Sequence, residues 1–255
     1  MKKLGDFTGL SDNYSKYRPD YSDSILEMTL ALIEKEKHEI DFVDVGAGTG
    51  IWTRMVHAKG LNSTSAVEPN LEMRSFGKLQ SPDISWSEGS AENTNLKSDS
   101  ADWLSMASSF HWTEPKRSLP EFSRILRQGG IFTALWNPRI IKGNTMLEEI
   151  ESYIYFLNPS IKRISSGLSG ITNNLEAIIL ESGCFENVCY SEASHTIKMT
   201  HERYIGAWNS VNDLQVQLGS EDFPKFIKFI ENTINQVDLI ETKYLTRSWS
   251  ARVKK

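Results

Sequence analysis

The first half of the chain alternates short apolar runs with amphipathic stretches. Apolar runs bounded by polar and turn residues predict strands at residues 42–45, 63–67, 84–87, 103–106 and 131–136. Apolar positions at helical spacing predict helices at residues 23–36, 51–59, 71–79 and 116–127. Because strands and helices alternate with short links, the pattern predicts an α/β fold. Its sheet is expected to be mainly parallel and covered by helices on both faces.

After Pro138 the pattern changes to longer helical stretches and two long strands. Helical spacing predicts helices at residues 145–157, 173–182, 201–218 and 223–237, with an irregular segment at 159–171. Partial alternation predicts a sixth strand at 185–199 and a seventh at 243–253. Ligands of parallel sheets bind at the carboxyl ends of the strands. The stretches 145–171 and 200–237 are therefore expected to form a lid over that edge.

The most informative chemistry begins where the first predicted strand ends. Asp44 precedes three glycines on alternate positions, Gly46, Gly48 and Gly50. Glycine lets a backbone approach a ligand closely, although a tight turn can need it for steric reasons alone. A phosphate-binding loop would continue with Lys and Ser or Thr, and a dinucleotide fingerprint would place glycine where Ile51 stands. The loop therefore favours a ligand with a ribose and an adenine but no phosphate.

A second acid ends the second predicted strand. Glu68, followed by Pro69, lies about 20 residues after the loop, the distance expected for a carboxylate that accepts both ribose hydroxyls. The alternative is an ordinary solvated charge. A third segment, Ser90-Ala91-Glu92, brings small and polar residues after the third predicted strand.

These motifs, in this order, resemble the class I S-adenosylmethionine (SAM) dependent methyltransferases over about residues 10–140. Residues 122–132 are similar to that family's helix, turn and fifth strand. The resemblance implies a Rossmann-like sheet of seven strands, with an antiparallel last strand beside the sixth and helical lid insertions. It also implies SAM as the cofactor, with Glu68 on the ribose. The implied cofactor-binding residues are Tyr14, Arg18, Asp44, Gly46, Ala47, Gly48, Gly50, Glu68, Pro69, Ser90, Ala91, Glu92 and Ser108.

Two further segments resemble the branch that includes trans-aconitate methyltransferase and related small-carboxylate and natural-product enzymes. One is the arm from Tyr14 to Arg18-Pro19, which in that branch folds over SAM, and the other is Phe110-His111-Trp112 on the substrate side. Pro19 favours an extended Arg18, so a docked strand is expected rather than a helix. Tyr14 would face the sulfonium and Arg18 the methionine carboxylate. The alternative is a surface arm.

The predicted catalytic residues are His111, Trp112 and Asn137. His111 has three interpretations: a donor to a substrate carboxylate, a general base, or a cap of local backbone. Trp112 would cover the substrate or pack against the lid, and Asn137 would donate a hydrogen bond. Arg139 is either a carboxylate partner through its forked donors or a solvated charge.

Methyl transfer to a small molecule is the expected reaction, an in-line displacement in which the protein positions the reactants and excludes water. A carboxylate oxygen is the expected acceptor. With a reference pKa of about 4, a carboxylate is ionised at pH 7 and needs no base, unlike a carbon or phenol. Two alternatives stay open. One is C-, N- or O-methylation of an amino acid or aromatic secondary metabolite, and the other is a protein that cyclises or senses SAM without methyl transfer.

Composition agrees with a single enzyme domain. The 255 residues suffice for one core, divided into an arm (1–22), a SAM-binding core (23–138) and the last strands with the lid (139–255). A net charge of −5 and a pI of 5.6 argue against a nucleic-acid partner. The expected partner is a small-molecule substrate, and the protein is expected to be a monomer or homodimer.

Targeting and metal signals are missing from the sequence. No apolar stretch approaches ~20 residues, and residues 1–6 lack a signal-peptide core, so a cytoplasmic protein without membrane contact is expected. Cys184 and Cys189 stand without a further ligand cluster, so no metal site is expected.

Overall fold

The computed structural model describes residues 8–163, 167–168 and 170–255. Residues 1–7 of the predicted arm, and 164–166 and 169 of the predicted irregular segment, lie outside the described residues. The strands are β1 (Asp41–Val45), β2 (Ser63–Val67), β3 (Ser85–Ser87), β4 (Ala101–Ala107), β5 (Leu126–Trp136), β6 (Arg139–Ile140), β7 (Phe185–Met199) and β8 (Ile240–Val253). The helices are α1 (Ser11–Tyr17), α2 (Asp23–Ala31), α3 (Ile51–His57), α4 (Leu71–Gln80), α5 (Pro115–Ile125), α6 (Thr145–Leu157), α7 (Leu175–Glu181), α8 (His201–Asn209) and α9 (Asn212–Ile234). Short 3₁₀ turns occupy Lys37–Glu39, Phe110–Trp112 and Gly170–Asn173.

The described strands form one mixed sheet. β3, β2, β1, β4 and β5 run parallel in that order, and β8 then pairs antiparallel with β5. β7 follows β8 along nearly its whole length in an antiparallel pair. The two-residue β6 pairs with β8 beyond the end of β5. Parallel pairing brings the carboxyl ends of β1, β2 and β4 to one edge, where a ligand site is expected.

Helices cover both faces of this sheet. On one face, Phe122 of α5 and Ile179 of α7 join a buried cluster with Phe132 of β5. On the other, Leu26 of α2 and Trp52 of α3 pack with strand residues in a second cluster. Strands buried on both faces read as continuous apolar runs, which is why the sequence pattern located them.

A third apolar cluster lies in the helices that follow β5. α6, α8 and α9 contribute Ile150, Trp208 and Phe226, which pack with Met199 and Tyr244 from the outer strands. We call α6, α8 and α9 the helical cap. Its cluster is separate from the two clusters on the sheet faces. The cap therefore has its own core above the far strands.

The predicted fold class is confirmed, with differences at particular elements. Within the described residues the sheet has eight strands instead of the predicted seven, because residues 139–140 add β6. The helix expected over 201–218 is interrupted at Ser210 and Val211, and α9 kinks at Gly219, whose φ is 71°. Glycine reaches this left-handed region at little cost.

The conformation expected for the arm is wrong. Residues Ser11–Tyr17 form the helix α1 rather than a docked strand. Arg18 is extended, with φ −62° and ψ 145°, as the following Pro19 favours. Proline restricts only the residue directly before it, so α1 can end at Tyr17 without conflict.

Candidate active site

Two cavities meet at the carboxyl edge of the sheet. The first has a volume of about 260 Å³ and lies against the ends of β1, β2 and β4, and the second, of about 300 Å³, lies under the helical cap. Both are lined by the same six residues, Tyr14, Arg18, Pro19, Ser108, Trp112 and Asn137. A molecule in one cavity can therefore contact a molecule in the other.

Most predicted site residues line the first cavity. The structure brings together there Tyr14, Arg18, Gly46, Ala47, Gly48, Glu68, Pro69, Ser90, Ala91, Glu92, Ser108, Trp112 and Asn137. Asp44, Gly50 and His111 are the exceptions, and each has a separate physical reason.

The glycine loop turns sharply as it leaves β1. The backbone N–H of Gly46 donates to the carbonyl of Val67 at 2.8 Å, which joins the loop to β2. Gly46 and Gly48 have φ of 66° and 58°, in the left-handed region. A Cβ on Gly46 would lie only 2.9 Å from Oγ of Ser109. Glycine is required here by both backbone conformation and close approach.

Glu68 connects the loop to the end of β2. Its Oε2 accepts a hydrogen bond from the N–H of Gly48 at 2.8 Å, and its Oε1 accepts one from Asn70 at 2.8 Å. Burial raises the pKa of this carboxyl, and the two backbone hydrogen bonds act against that rise. Each oxygen keeps a further lone pair. A buried carboxylate held in this way can accept two hydroxyl groups from a ligand in the cavity.

Asp44 lies beneath the loop and does not line either cavity. Its carboxylate accepts from the hydroxyls of Thr53 at 2.6 Å and Ser105 at 2.9 Å, and Ser105 in turn accepts from the indole of Trp52. Burial raises the pKa of Asp44 to about 7. Asp44 therefore ties β1 to α3 and β4, and its contact with the cofactor stays a prediction.

Gly50 does not line the first cavity either. It precedes α3 with φ 83°, and a Cβ there would meet the ring of Trp86 at 2.9 Å. The contact of Gly50 with the cofactor likewise stays a prediction. Its glycine is needed for the turn into α3 and for the packing of Trp86.

His111 faces Trp136 and does not line either cavity. Its Nδ1 accepts a hydrogen bond from the indole Nε1 of Trp136 at 3.2 Å, so the neutral ring carries its proton on Nε2. That Nε2 is buried and has no hydrogen-bond partner within the described residues. Burial lowers the pKa of His111 to about 4. The substrate-facing position predicted for this residue is not the one that the structure shows.

Asn137 lines both cavities while its side-chain amide joins two segments. Its Nδ2 donates to the carbonyl of Asp20 at 2.9 Å, and its Oδ1 accepts from Thr246 of β8 at 2.9 Å. The residue thus fixes the end of the arm, at Asp20, to the sheet.

The arm is fastened to the helical cap through Arg18. Its Nε donates to Oγ of Ser210 at 2.7 Å, and a second guanidinium nitrogen donates to the carbonyl of Ser210 at 3.2 Å. The same guanidinium lies 4.9 Å from the ring centre of Tyr14. Farther out, the hydroxyl of Tyr17 donates to Glu202 at 2.6 Å.

Charged side chains distinguish the second cavity. It is lined by Arg18, Arg139 and Arg163 together with Glu151 and Asp213. Arg163 forms an ion pair with Glu151, and its Nε lies 4.0 Å from Oδ2 of Asp213.

Trp208 of α8 holds two of these arginines in place. The guanidinium of Arg139 lies 3.6 Å from the centre of its ring, and that of Arg163 lies 5.8 Å away. A guanidinium stacked on an aromatic face keeps its N–H donors at its edges, where they can meet a carboxylate.

Several residues of the first cavity were not predicted. They are Pro19, Tyr21, Ile51, Trp52, Asn70, Met73, Met106, Ala107, Ser109 and Thr113. Met73 and Trp52 occupy apolar positions at the start of predicted helices, a signal that could have found them. For Arg163 and Asp213 of the second cavity the sequence offers no motif, because they follow no predicted strand of the core.

The described residues contain neither a membrane-crossing helix nor a cluster of metal ligands. Within residues 8–163, 167–168 and 170–255, no helix has both the length and the apolar character needed to cross a membrane. The described part of the chain also holds no group of three or more His, Cys, Asp or Glu side chains arranged to bind a metal ion.

Comparisons with known proteins show that the first half of the chain is similar to methyltransferases. Residues 43–134 match the family described as a methyltransferase domain. An uncharacterized methyltransferase of Mycobacterium tuberculosis is 32% identical over 126 residues, which cover 49% of each chain. A ubiquinone/menaquinone biosynthesis C-methyltransferase of Campylobacter jejuni is 28% identical over 137 residues, 51% of this chain and 58% of that one. The chain thus spans about half the length of the curated relatives it matches.

The fold of this chain is similar to that of a solved structure over most of its length. A candidate type II methyltransferase from Anaeromyxobacter dehalogenans superposes with a TM-score of 0.68 at 16% identity, over 92% of this chain and 98% of that one. At this identity the likeness concerns the fold alone. The match to the methyltransferase domain ends at residue 134, before the helical cap begins.

Proposed function

We propose that this chain, whose residues 43–134 match a methyltransferase domain, is a class I SAM-dependent methyltransferase that transfers a methyl group from SAM to a carboxylate oxygen of a small organic acid. The observation that carries the proposal is the junction of the two cavities. A cavity suited to a nucleoside opens, through six shared residues, onto a second cavity that presents arginine side chains.

The residues of the first cavity fit SAM. Glu68 offers two acceptor oxygens to the ribose hydroxyls while Gly48 and Asn70 hold it in place. Ala91 and Met73 provide an apolar wall for an adenine, and the backbone of Gly46 and Gly48 lines the part of the cavity that would take the methionine end. When bound, SAM supplies an electrophilic methyl group on a positively charged sulfur.

The residues that line both cavities are suited to surround the methyl group while it is transferred. Tyr14 and Trp112 bring aromatic rings to both cavities, and aromatic faces attract a cation such as a sulfonium. Arg18 and Asn137 are each fixed by hydrogen bonds to distant segments, so this wall is held before any ligand arrives. Positioning of this kind is the main contribution that a protein makes to an in-line displacement.

Arg139 supports a carboxylate as the acceptor. It lines the second cavity just beyond Asn137, and its guanidinium is held against the ring of Trp208. Its planar fork matches the two oxygens of a carboxylate. One oxygen bound by Arg139 would leave the other directed toward the shared wall.

The absence of a base among the shared residues agrees with this acceptor. A carboxylate is ionised at pH 7 and attacks without loss of a proton. His111, the one histidine predicted near the site, has its Nδ1 engaged by Trp136. Its lowered pKa keeps it neutral and a poor proton acceptor at that pH.

Incubation with methyl-labelled SAM and a panel of small acids tests the proposal. A base-labile labelled product identifies a methyl ester and supports it. A base-stable product instead assigns the methyl group to carbon, nitrogen or an ether oxygen and overturns the carboxylate. Release of methylthioadenosine without methylated product overturns methyl transfer altogether.

A further inference from the structure

The second cavity contains a buried carboxylate that its own surroundings do not satisfy. Asp213, at the start of α9, lines this cavity and is 1% exposed. Its Oδ1 accepts from the backbone N–H of Leu214 at 3.1 Å. Its Oδ2 is buried without a hydrogen-bond partner among the described residues. The Nε of Arg163 is 4.0 Å from that oxygen, beyond hydrogen-bond distance.

Buried polar atoms in folded proteins nearly always have a hydrogen-bond partner, so an exception at a cavity wall suggests that a ligand provides one. Oδ2 can only accept, since an ionised carboxylate has no proton to give. The ligand group opposite Asp213 must therefore be a donor. This requirement is additional to the carboxylate that Arg139 is suited to bind.

The charges around the cavity limit what that donor can be. Three arginines and two acids line it, so its formal charge is +1. One ligand carboxylate would neutralise this charge. An ammonium group on the same ligand would restore the positive excess, and a second carboxylate would reverse its sign. A neutral hydroxyl is the donor that leaves the cavity balanced.

We propose that the second cavity binds a hydroxy acid with a single carboxylate, whose hydroxyl donates to Oδ2 of Asp213 while its carboxylate contacts Arg139. The inference rests on the proposed function for the role of that carboxylate, and it names the substrate class. The carboxylate remains the methyl acceptor, and the hydroxyl serves recognition. A site built around a buried acceptor discriminates strongly against analogues that lack the donor.

Ligand binding without turnover tests this proposal. Wild-type protein saturated with S-adenosylhomocysteine is titrated calorimetrically with butanoate and benzoate, and with each of their monohydroxy isomers. 2-Aminobutanoate and succinate serve as the charged comparisons. At least one hydroxy acid should bind 10-fold or more tightly than its parent acid, and than both charged comparisons. Equal or weaker binding by all hydroxy isomers overturns the proposal.

The variant Asp213→Asn tests whether Oδ2 causes the tighter binding of the hydroxy acid. This change keeps the size of the side chain. Because the one amide oxygen is needed to accept from the N–H of Leu214, the NH2 group takes the place of Oδ2 and cannot accept, so the 10-fold ratio between hydroxy acid and parent acid should fall to about 1. Asp222→Asn, on the same helix and paired with Lys225 outside the cavity, should keep the wild-type ratio. An unchanged ratio in Asp213→Asn overturns the assignment. Affinity for S-adenosylhomocysteine checks the fold, and the wild-type series decides the proposal if the variant does not fold.

The two proposals fail in distinguishable ways. Hydroxy acids that bind with the expected preference but are not methylated would overturn the proposed function and leave the hydroxy-acid site standing. Esters formed equally well from butanoate and its hydroxy isomers would leave the proposed function standing and overturn the hydroxy-acid site.

Discussion

The guanidinium of Arg18 donates to Oγ of Ser210 at 2.7 Å, across 192 residues of sequence. Arg18 lines both cavities, and Ser210 is the buried residue that separates α8 from α9. The contact therefore joins the arm over the first cavity to the helical cap over the second. This pair is the contact between the two covers that lies at the cavities, and Tyr17 and Glu202 form another farther out.

The variant Ser210→Ala should weaken the contact between the arm and the helical cap, and so affect both cavities. The variant loses one hydrogen bond to a charged group that is partly buried, worth about 1.5–3 kcal/mol. We expect the affinity for SAM and for the acid to fall by about 10-fold each, as measured by calorimetry. Lys16→Gln, which removes an exposed ion pair with Glu202, should change both affinities less than twofold. Loss of only one of the two affinities in Ser210→Ala would contradict the proposed connection.

Glu68→Gln should weaken SAM binding by about 10- to 100-fold. An amide cannot accept from both Gly48 and Asn70 and still accept two ribose hydroxyls, because one of its ends is a donor. Isothermal titration with SAM measures the effect. Glu88→Gln, which changes an exposed acid paired with Arg74, is the matched control and should bind SAM normally. Wild-type affinity in Glu68→Gln would show that this carboxylate does not hold the ribose.

Arg139→Gln should raise the KM for the acid substrate by about 10-fold or more and leave the affinity for SAM within twofold. The variant keeps hydrogen-bonding groups but loses the charge and the planar fork that suit a carboxylate. Steady-state kinetics on the acid found by the labelling experiment measures the change. Arg117→Gln, at an exposed ion pair with Glu114, is the control. An unchanged KM would overturn the role given to Arg139.

The raised pKa of Asp44 should make the free energy of unfolding depend on pH. Its pKa is about 7 in the folded chain and about 4 when unfolded, so between these values the folded state binds one more proton than the unfolded state. The stability from this group is complete below about pH 4 and is lost as the pH rises through 7. In Asp44→Asn that loss is absent.

The free energy of unfolding of Asp44→Asn, relative to wild type, should therefore rise by about 1.4 kcal/mol per pH unit between about pH 5 and pH 7. Urea unfolding at each pH measures it. Asp83→Asn, at an exposed position, should show no such trend. A pH-independent difference for Asp44→Asn would mean that Asp44 is ionised throughout the range.

His111→Phe should affect stability more than catalysis. The change removes the acceptor of the buried Trp136 indole, which should lower the free energy of unfolding by about 1–3 kcal/mol. Because His111 does not line either cavity, turnover should stay within about threefold of wild type. His111→Gln, which can accept from the indole, should recover part of the stability. A loss of turnover above 100-fold with unchanged SAM affinity would restore the catalytic interpretation.

The pH profile of wild-type kcat gives an independent check on the same residue. With the pKa of His111 near 4 and a substrate carboxylate already ionised, kcat should be flat from about pH 6 to 9. A kcat that falls as the pH is lowered, with an apparent pKa between about 6 and 8, would indicate a general base. His111 would then be the first residue to examine.

The sequence by itself determined the sheet, the glycine loop and the position of Glu68. Buried parallel strands appear as apolar runs, and the loop at Gly46 and Gly48 needs glycine for local backbone reasons. Glu68 follows its strand directly, so its place at the carboxyl edge comes with the strand. These features depend on neighbours along the chain, and neighbours are what a sequence pattern records.

Tertiary structure alone decided where side chains point and which distant segments meet. His111 lies in the predicted motif, yet Trp136 takes its Nδ1 and turns it from the cavities. Asp44 ends its strand like Glu68, but Thr53 and Ser105 hold it beneath the loop. The second cavity forms from β6, the arm and the helical cap, whose residues are close only after the chain has folded. The choice of methyl acceptor rests on those contacts, because the arginines and acids that line the cavity share no local pattern.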